Sequence, residues 1–272
     1  MIVALRCAVV FASVVASLGA WGAAGPAEPL VIGETFTVPS EVLGEERRIN
    51  VYRPPSGSDR LPVLYMPDGG VAEDFIHVAG LVQVLVGNGT MRPFLLVGIE
   101  NTQRRRDLTG PTENVEDRKI APRVGGSAKF RAFVRDELMP EVEKRYRTAP
   151  ERAIVGESLA GLFVVETLVL EPELFDSYLA FDPSLWWNDG KLVDEMAKRW
   201  RSGAPRAKTL YVATSDEPGI LAATQRFVGA LGKSDPAGLR WSYVPMPEEQ
   251  HSTLYHPAAL RAFRALFAPA AR

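Results

Sequence analysis

Residues 154–163 read IVGESLAGLF. A short β-branched run, IVG, meets a run of small and apolar residues with helical character. At such a junction a buried strand turns sharply into a helix and presents Ser158 at the bend. The pattern for a bend of this kind is G-x-S-x-G. Gly156 fills its first position, but Ala160 stands at the last, and Gly161 comes one residue late. The extra methyl of Ala160 costs on the order of 1–3 kcal/mol if the junction is crowded, and nothing if the helix sits farther out. Ser158 therefore has two readings: a raised nucleophile, or the N-cap of the following helix.

The surrounding pattern places the junction in a sheet. VIGETFTV and RRINVYRP read as an early antiparallel pair, and PVLYMPD and PFLLVGIE as buried strands. AEDFIHVAGLVQVLVGNGT reads as a helix ending near Gly87. A long polar segment follows over 101–127, and loops of that length in compact domains are usually functional. SAKFRAFVRDELMPEVEKRYR has helical spacing, with Ser127 as N-cap and Pro140 as a kink or restart. The strands RAIVG, SYLAFDPS, KTLYVAT and RWSYVPM then alternate with the helices LAGLFVVETLVL, KLVDEMAKRWRSG, ILAATQRFVGALGK and PAALRAFRALF. This alternation predicts a mainly parallel sheet with helices on both faces. Ligands of such sheets sit beyond the carboxyl ends of the strands, so the residues after MPD, IE, IVG, AFD, VAT and VPM are the ones to question.

Ser158 needs a base, because a serine hydroxyl is a weak nucleophile until its proton is taken. The chain has 3 histidines. His251 follows the last strand and precedes the last helix; His256 starts that helix, and His77 lies inside an earlier one. The third member is expected after KTLYVAT, where Asp216 or Glu217 could hold the imidazole in its working tautomer. Oxyanion donors are expected at the N–H of Leu159 and in the turn after the third strand, at Gly69 or Gly70. Chain order is then serine, acid, histidine.

Composition removes other classes. The chain has 272 residues, 46% of them hydrophobic, and a formal charge of -2. That suits one core, and no basic face or tail argues for nucleic acid. Three scattered histidines form no H-E-x-x-H or H-x-x-x-H pair, so no metal or other cofactor is expected. No phosphate-binding glycine motif and no S-x-x-K occur. Residues 7–27 carry no charge, follow Arg6 and end in small residues, which reads as a signal peptide over 1–24 with a single domain over 25–272. Cleavage would remove Cys7, the 1 cysteine present, and with it any disulfide or thiol chemistry. It would also leave no stable membrane association, so the mature protein is expected in the periplasm or outside the cell.

INVYRP, PVLYMPDGG, LLVGIENTQRRRDLT, FRAFVRDELMPEVEKRYR, IVGESLAGLF, DPSLWW and QHSTLYHP together resemble the esterase D-like group of α/β-hydrolases, which includes the enterobactin esterases. The resemblance covers about residues 32–268. It implies an α/β-hydrolase fold, Ser158 as nucleophile, His251 as base and a small-molecule ester as substrate. It favours Glu217 slightly over Asp216. The chain departs from the group's G-H-S-x-G-G at Glu157, which replaces the histidine, and at Ala160. An arginine among Arg104, Arg105 and Arg106 could clamp an anionic substrate oxygen, and Arg105 is the one carried forward. Trp186 or Trp187 could line an acyl or aryl pocket. An acyltransferase, or a degenerate hydrolase that only binds a ligand, are the rival expectations.

Overall fold

The computed structural model describes residues 26–56, 60–200, 207–234 and 238–270. The expected signal peptide, 1–24, lies outside the described residues. The chain divides into two units, Met1–Val31 and Ile32–Arg272. Residues 26–31 of the first carry no regular secondary structure, and among the described residues every strand and helix belongs to the second.

Eight strands make one sheet: β1 Glu34–Ser40, β2 Glu45–Tyr52, β3 Leu61–Pro67, β4 Leu95–Ile99, β5 Thr148–Glu157, β6 Ser177–Phe181, β7 Lys208–Thr214 and β8 Leu239–Pro245. Their order across the sheet is β1-β2-β4-β3-β5-β6-β7-β8. The β1–β2 pair and the β2–β4 pair are antiparallel. All pairs from β4 through β3 to β8 are parallel. Strands β4, β6 and β7 are buried at every position, as strands covered on both faces must be.

The helices are α1 Phe75–Gly87, α2 Arg104–Asp107, α3 Val115–Lys119, α4 Ser127–Phe133, α5 Met139–Arg145, α6 Leu159–Leu170, α7 Lys191–Arg199, α8 Pro218–Ser234 and α9 Tyr255–Leu266. On one face Phe130, Phe163, Val193 and Phe227 bring α4, α6, α7 and α8 into one apolar cluster. On the other, Val78, Val82, Ala259 and Phe263 join α1 to α9. Helix α6 is buried at every position but its last, so it needs apolar residues all round rather than an amphipathic stripe.

One helix differs from its expected form. Ser127 does not cap α4; it is the first helical residue, and Gly126 holds the cap position. The predicted single helix runs on through a π-turn over Val134–Leu138 into α5, with Phe133, Val134, Leu138 and Met139 all right-handed helical at the junctions and Pro140 just beyond the wider turn. Proline lacks the N–H that a regular α-turn would use there, and a π-turn marks the place where the bond ladder is disturbed.

The long segment 101–127 holds α2 and α3 and is pinned to the body by buried charge. Arg47 is completely buried in β2 and its guanidinium pairs with the buried carboxylate of Asp107. The same group lies 3.0 Å from Glu45, donates to the main-chain oxygen of Glu100 at 3.3 Å, and stands over the Phe130 ring. Arg106 closes the network onto Asp107 at 2.6 Å and Glu45 at 2.7 Å. Asp107→Ala would take from Arg47 its one fully buried carboxylate partner and leave it the half-buried Glu45 alone. Such a loss costs about 3–5 kcal/mol. Urea unfolding followed by circular dichroism should show a drop of that order; a change under about 1 kcal/mol, the scale of a surface pair, would contradict this account of the segment.

Candidate active site

Strand β5 ends at Glu157 and α6 begins at Leu159, so Ser158 alone makes the bend. Its backbone has φ 60° and ψ -120°. A non-glycine residue held there stores about 1–3 kcal/mol of strain. Three main-chain hydrogen bonds hold it in place. Ser158 N–H donates to Phe181 O at 3.0 Å, and Ser158 O accepts from Leu162 N at 2.9 Å and from Ser184 N at 3.0 Å. The Ser158 side chain makes no capping bond to the helix. The capping alternative is therefore not the geometry found.

Close packing explains the departures from G-x-S-x-G. A Cβ on Gly156 would lie 2.7 Å from Cβ of Ala160 and 2.9 Å from its carbonyl oxygen. Strand and helix backbones meet at Gly156, which leaves room for one methyl on the helix side. Gly161 serves a different contact: a Cβ there would press on Phe181 O at 3.0 Å and Pro183 Cα at 3.1 Å.

His251, in the loop between β8 and α9, faces the bend. Its Nε2 lies 3.2 Å from Ser158 Oγ. Its Nδ1 lies 3.0 Å from Oδ2 of Asp182. Asp182 follows β6, not β7, and is fully buried with φ 40°. The expected acids do not reach the imidazole. Asp216 and Glu217 are exposed at the head of α8. The turn after β7 contributes Ser215 instead, whose N–H and hydroxyl donate to the two oxygens of Asp182 at 2.7 and 2.6 Å. The bond to Asp182 raises the His251 pKa; burial opposes it, while the charges of Glu157, Asp182 and Glu217 add to it.

Glu157 also turns toward the imidazole. Its Oε1 lies 3.1 Å from the same Nδ1, yet that oxygen is buried and makes no hydrogen bond. Burial pushes the Glu157 pKa up to about 8, with His251 and Arg104 pulling the other way. Among the described residues, Glu157, Asp182 and His251 are the side chains that bring three ligand-type atoms within 4.8 Å of one another. The His251 nitrogens face Asp182 and Ser158, which is the arrangement of a proton relay rather than of ligands spread around a cation.

The expected oxyanion donors divide. The Leu159 N–H opens α6 and has no acceptor within the helix, so it points out with the positive end of the helix dipole. Gly69 N–H is committed to Ile99 O at 2.9 Å and is no donor to a ligand. Gly69 is needed for contact, since a Cβ would lie 2.2 Å from the Ile99 nitrogen. Gly70 N–H donates to the Glu73 carboxylate at 2.7 Å, and Glu73 N–H returns a bond to Gly70 O at 3.0 Å. These two bonds close the turn that leads into α1.

Of the three adjacent arginines, Arg104 is held by both oxygens of Asp68 at 2.7 and 2.8 Å, and Arg106 belongs to the Asp107 network. Arg105 is exposed and donates to Ile120 O at 2.8 Å, with no carboxylate partner among the described residues. It borders a depression of 430 Å³ with Gln103, Arg104, Arg106, Pro122 and Arg123. Trp187 is packed and its indole donates to Gly110 O at 2.9 Å, while Trp186 remains 39% exposed. His77 and His256 face each other with 3.4 Å between their Nδ1 atoms.

The profile of the protein family described as "Putative esterase" matches residues 40–221. The ferri-bacillibactin esterase BesA of Bacillus subtilis (strain 168) is 33% identical over 155 residues, 50% of each chain. The siderophore triacetylfusarinine C esterase of Aspergillus fumigatus is 30% identical over 184 residues, 61% of each chain. The chain thus spans about half to three-fifths of these two curated relatives. An IroE-like serine hydrolase from Shewanella oneidensis superposes with a TM-score of 0.77 at 30% identity, over 86% of this chain and 80% of that one. The sheet order and these neighbours make this an α/β-hydrolase fold.

The relay predicts a titration. Because the Asp182 bond stabilises the charged imidazole, His251 should change charge above the ordinary value of about 6.5. It is cationic below that midpoint and neutral above it. The imidazole proton resonances, followed against pH, should place the midpoint on the alkaline side of that value. A midpoint at or below it would contradict the described contact.

Proposed function

Because the chain belongs to the "Putative esterase" family, we propose that it is a serine esterase that hydrolyses the ester bonds of a siderophore through an acyl-enzyme. The observation that carries the proposal is the line from Ser158 Oγ to His251 Nε2 at 3.2 Å and from His251 Nδ1 to Asp182 Oδ2 at 3.0 Å. The substrate class comes from the relatives, whose names are those of siderophore esterases.

In this mechanism Ser158 Oγ bonds to the ester carbonyl carbon as its proton passes to His251 Nε2. The carbonyl oxygen becomes an oxyanion, stabilised by the Leu159 N–H and by the Gly70 N–H once the Glu73 carboxylate lets it go. The carbon–oxygen bond to the leaving alcohol breaks, and the alcohol takes the proton from the imidazolium. Water then attacks the acyl-enzyme, His251 takes its proton and passes it to Ser158 Oγ, and the carboxylic acid leaves. Asp182 keeps the Nδ1–H in place throughout, and Ser215 keeps Asp182 in place.

Arg105, exposed beside the 430 Å³ depression, is the arginine free to meet an anionic oxygen of the substrate. Trp186 offers a partly exposed aromatic face, with Trp187 fixed behind it. The apolar leader over 7–27 supports export from the cytoplasm. Among the described residues no helix is long and apolar enough to cross a membrane.

Hydrolysis of enterobactin and of p-nitrophenyl acetate, each by the purified wild type and by Ser158→Ala, tests both halves of the proposal. The wild type should cleave the trilactone, and Ser158→Ala should lose about 10⁴-fold or more in kcat on both substrates. Normal turnover by Ser158→Ala would overturn the nucleophile. Turnover of the small ester with none of any siderophore ester offered would overturn the substrate class.

A further inference from the structure

Two carboxyl oxygens approach one imidazole nitrogen. His251 Nδ1 has Asp182 Oδ2 at 3.0 Å and Glu157 Oε1 at 3.1 Å. One N–H carries one proton, and Asp182 takes it. Glu157 Oε1 is left buried with no hydrogen bond. A buried acceptor without a partner costs about 1–3 kcal/mol, so its place against an occupied donor calls for an account.

The fold puts the two acids side by side. Glu157 is the last residue of β5 and pairs in register with Phe181 of β6, so Asp182 is the next residue along the neighbouring strand. Asp182 is fixed from behind by both bonds from Ser215. Glu157 has no comparable fastening on Oε1, and the imidazole Nδ1 stands 3.1 Å from it. A small rotation of the ring would carry the Nδ1–H from one acid to the other while Nε2 stays at Ser158.

We propose that Glu157 is a positioning residue that serves as a reserve acceptor for the His251 Nδ1–H, able to orient the imidazole when Asp182 does not. This rests on the reading of Ser158 and His251 as nucleophile and base. The charged and titratable groups facing Glu157 are His251 before α9, Arg104 of α2, Asp182 after β6 and Asp68 after β3. Glu217 at the head of α8 acts on His251, and the buried Tyr255 hydroxyl of α9 also senses Glu157. Burial holds the Glu157 proton on in the resting site, up to a pKa of about 8. Loss of the Asp182 charge, which helps to hold that proton on, favours its release. The ionised carboxylate then takes the Nδ1–H.

The test is a double-mutant cycle on p-nitrophenyl acetate hydrolysis with the full chain: wild type, Glu157→Gln, Asp182→Asn and the double variant, each with and without Ser158→Ala. In a triad with a single acid, the acid-to-amide change costs about 10⁴-fold in kcat. Here Asp182→Asn alone should cost only about 10–100-fold, and in the Glu157→Gln background about 10³–10⁴-fold, a non-additive pair. The residual activity of Asp182→Asn should rise with pH as Glu157 ionises, and the double variant should lack that rise. An equal penalty for Asp182→Asn in both backgrounds overturns the inference.

A second reading guards against a fold effect in the Asp182 variants. Glu157→Gln alone should cost less than about tenfold in kcat, because Asp182 still takes the Nδ1–H; a loss as large as that of Asp182→Asn in the Glu157→Gln background counts against the inference. Thermal melts establish that each variant is folded. Activity that survives Ser158→Ala would instead defeat the proposed mechanism, so the two failures are separable.

Discussion

Asp182 is fully buried at the end of β6, where water cannot satisfy its carboxyl group. Protein donors do so instead: the N–H and hydroxyl of Ser215 and the Nδ1–H of His251. That cluster fixes the imidazole beside Ser158, where the proposed mechanism uses it as the base. Three segments far apart in the chain therefore converge on one buried side chain. Ser158 and His251 are separated by 93 positions and Asp182 and His251 by 69. The strain at Ser158 has meaning only in this setting, because the hydroxyl it raises is aimed at a nitrogen already held in place.

The sheet achieves the convergence through close backbone contacts. β5, β6, β7 and β8 are parallel neighbours, so their carboxyl ends lie along one edge. Phe181 O receives the Ser158 N–H, and Ala213 O receives the Asp182 N–H at 2.8 Å. Each strand end thus fastens the functional residue of the strand beside it. Gly156 lets α6 start against β5 without a clash, and the Arg47–Asp107 pair anchors the arginine-bearing segment next to Asp68.

Much of this is legible in the sequence, for identifiable reasons. The alternation of short apolar runs and helical spacings reflects a sheet buried on both faces, and it locates β3 to β8. Ser158 and His251 stand out because they follow strands and because histidines are few. Asp182 is missed although AFDPS marks a strand end: which strand supplies the acid depends on how far the turns after β6 and β7 reach, and no residue pattern states that distance. The SDE turn after β7 looks suitable, but Ser215 is buried at the acid while Asp216 and Glu217 face solvent. The DGG turn is legible as a close approach, yet its N–H groups are claimed by Ile99 and Glu73, partners that only the folded chain brings near.

The most direct measurement of the central claim is covalent labelling by a fluorophosphonate, which reacts with a serine hydroxyl only when a base activates it. Mass spectrometry of the digested protein should find one adduct per chain, on the peptide that contains Ser158, and replacing His251 with alanine should abolish it. An unlabelled Ser158, or a label that persists without His251, would contradict the account.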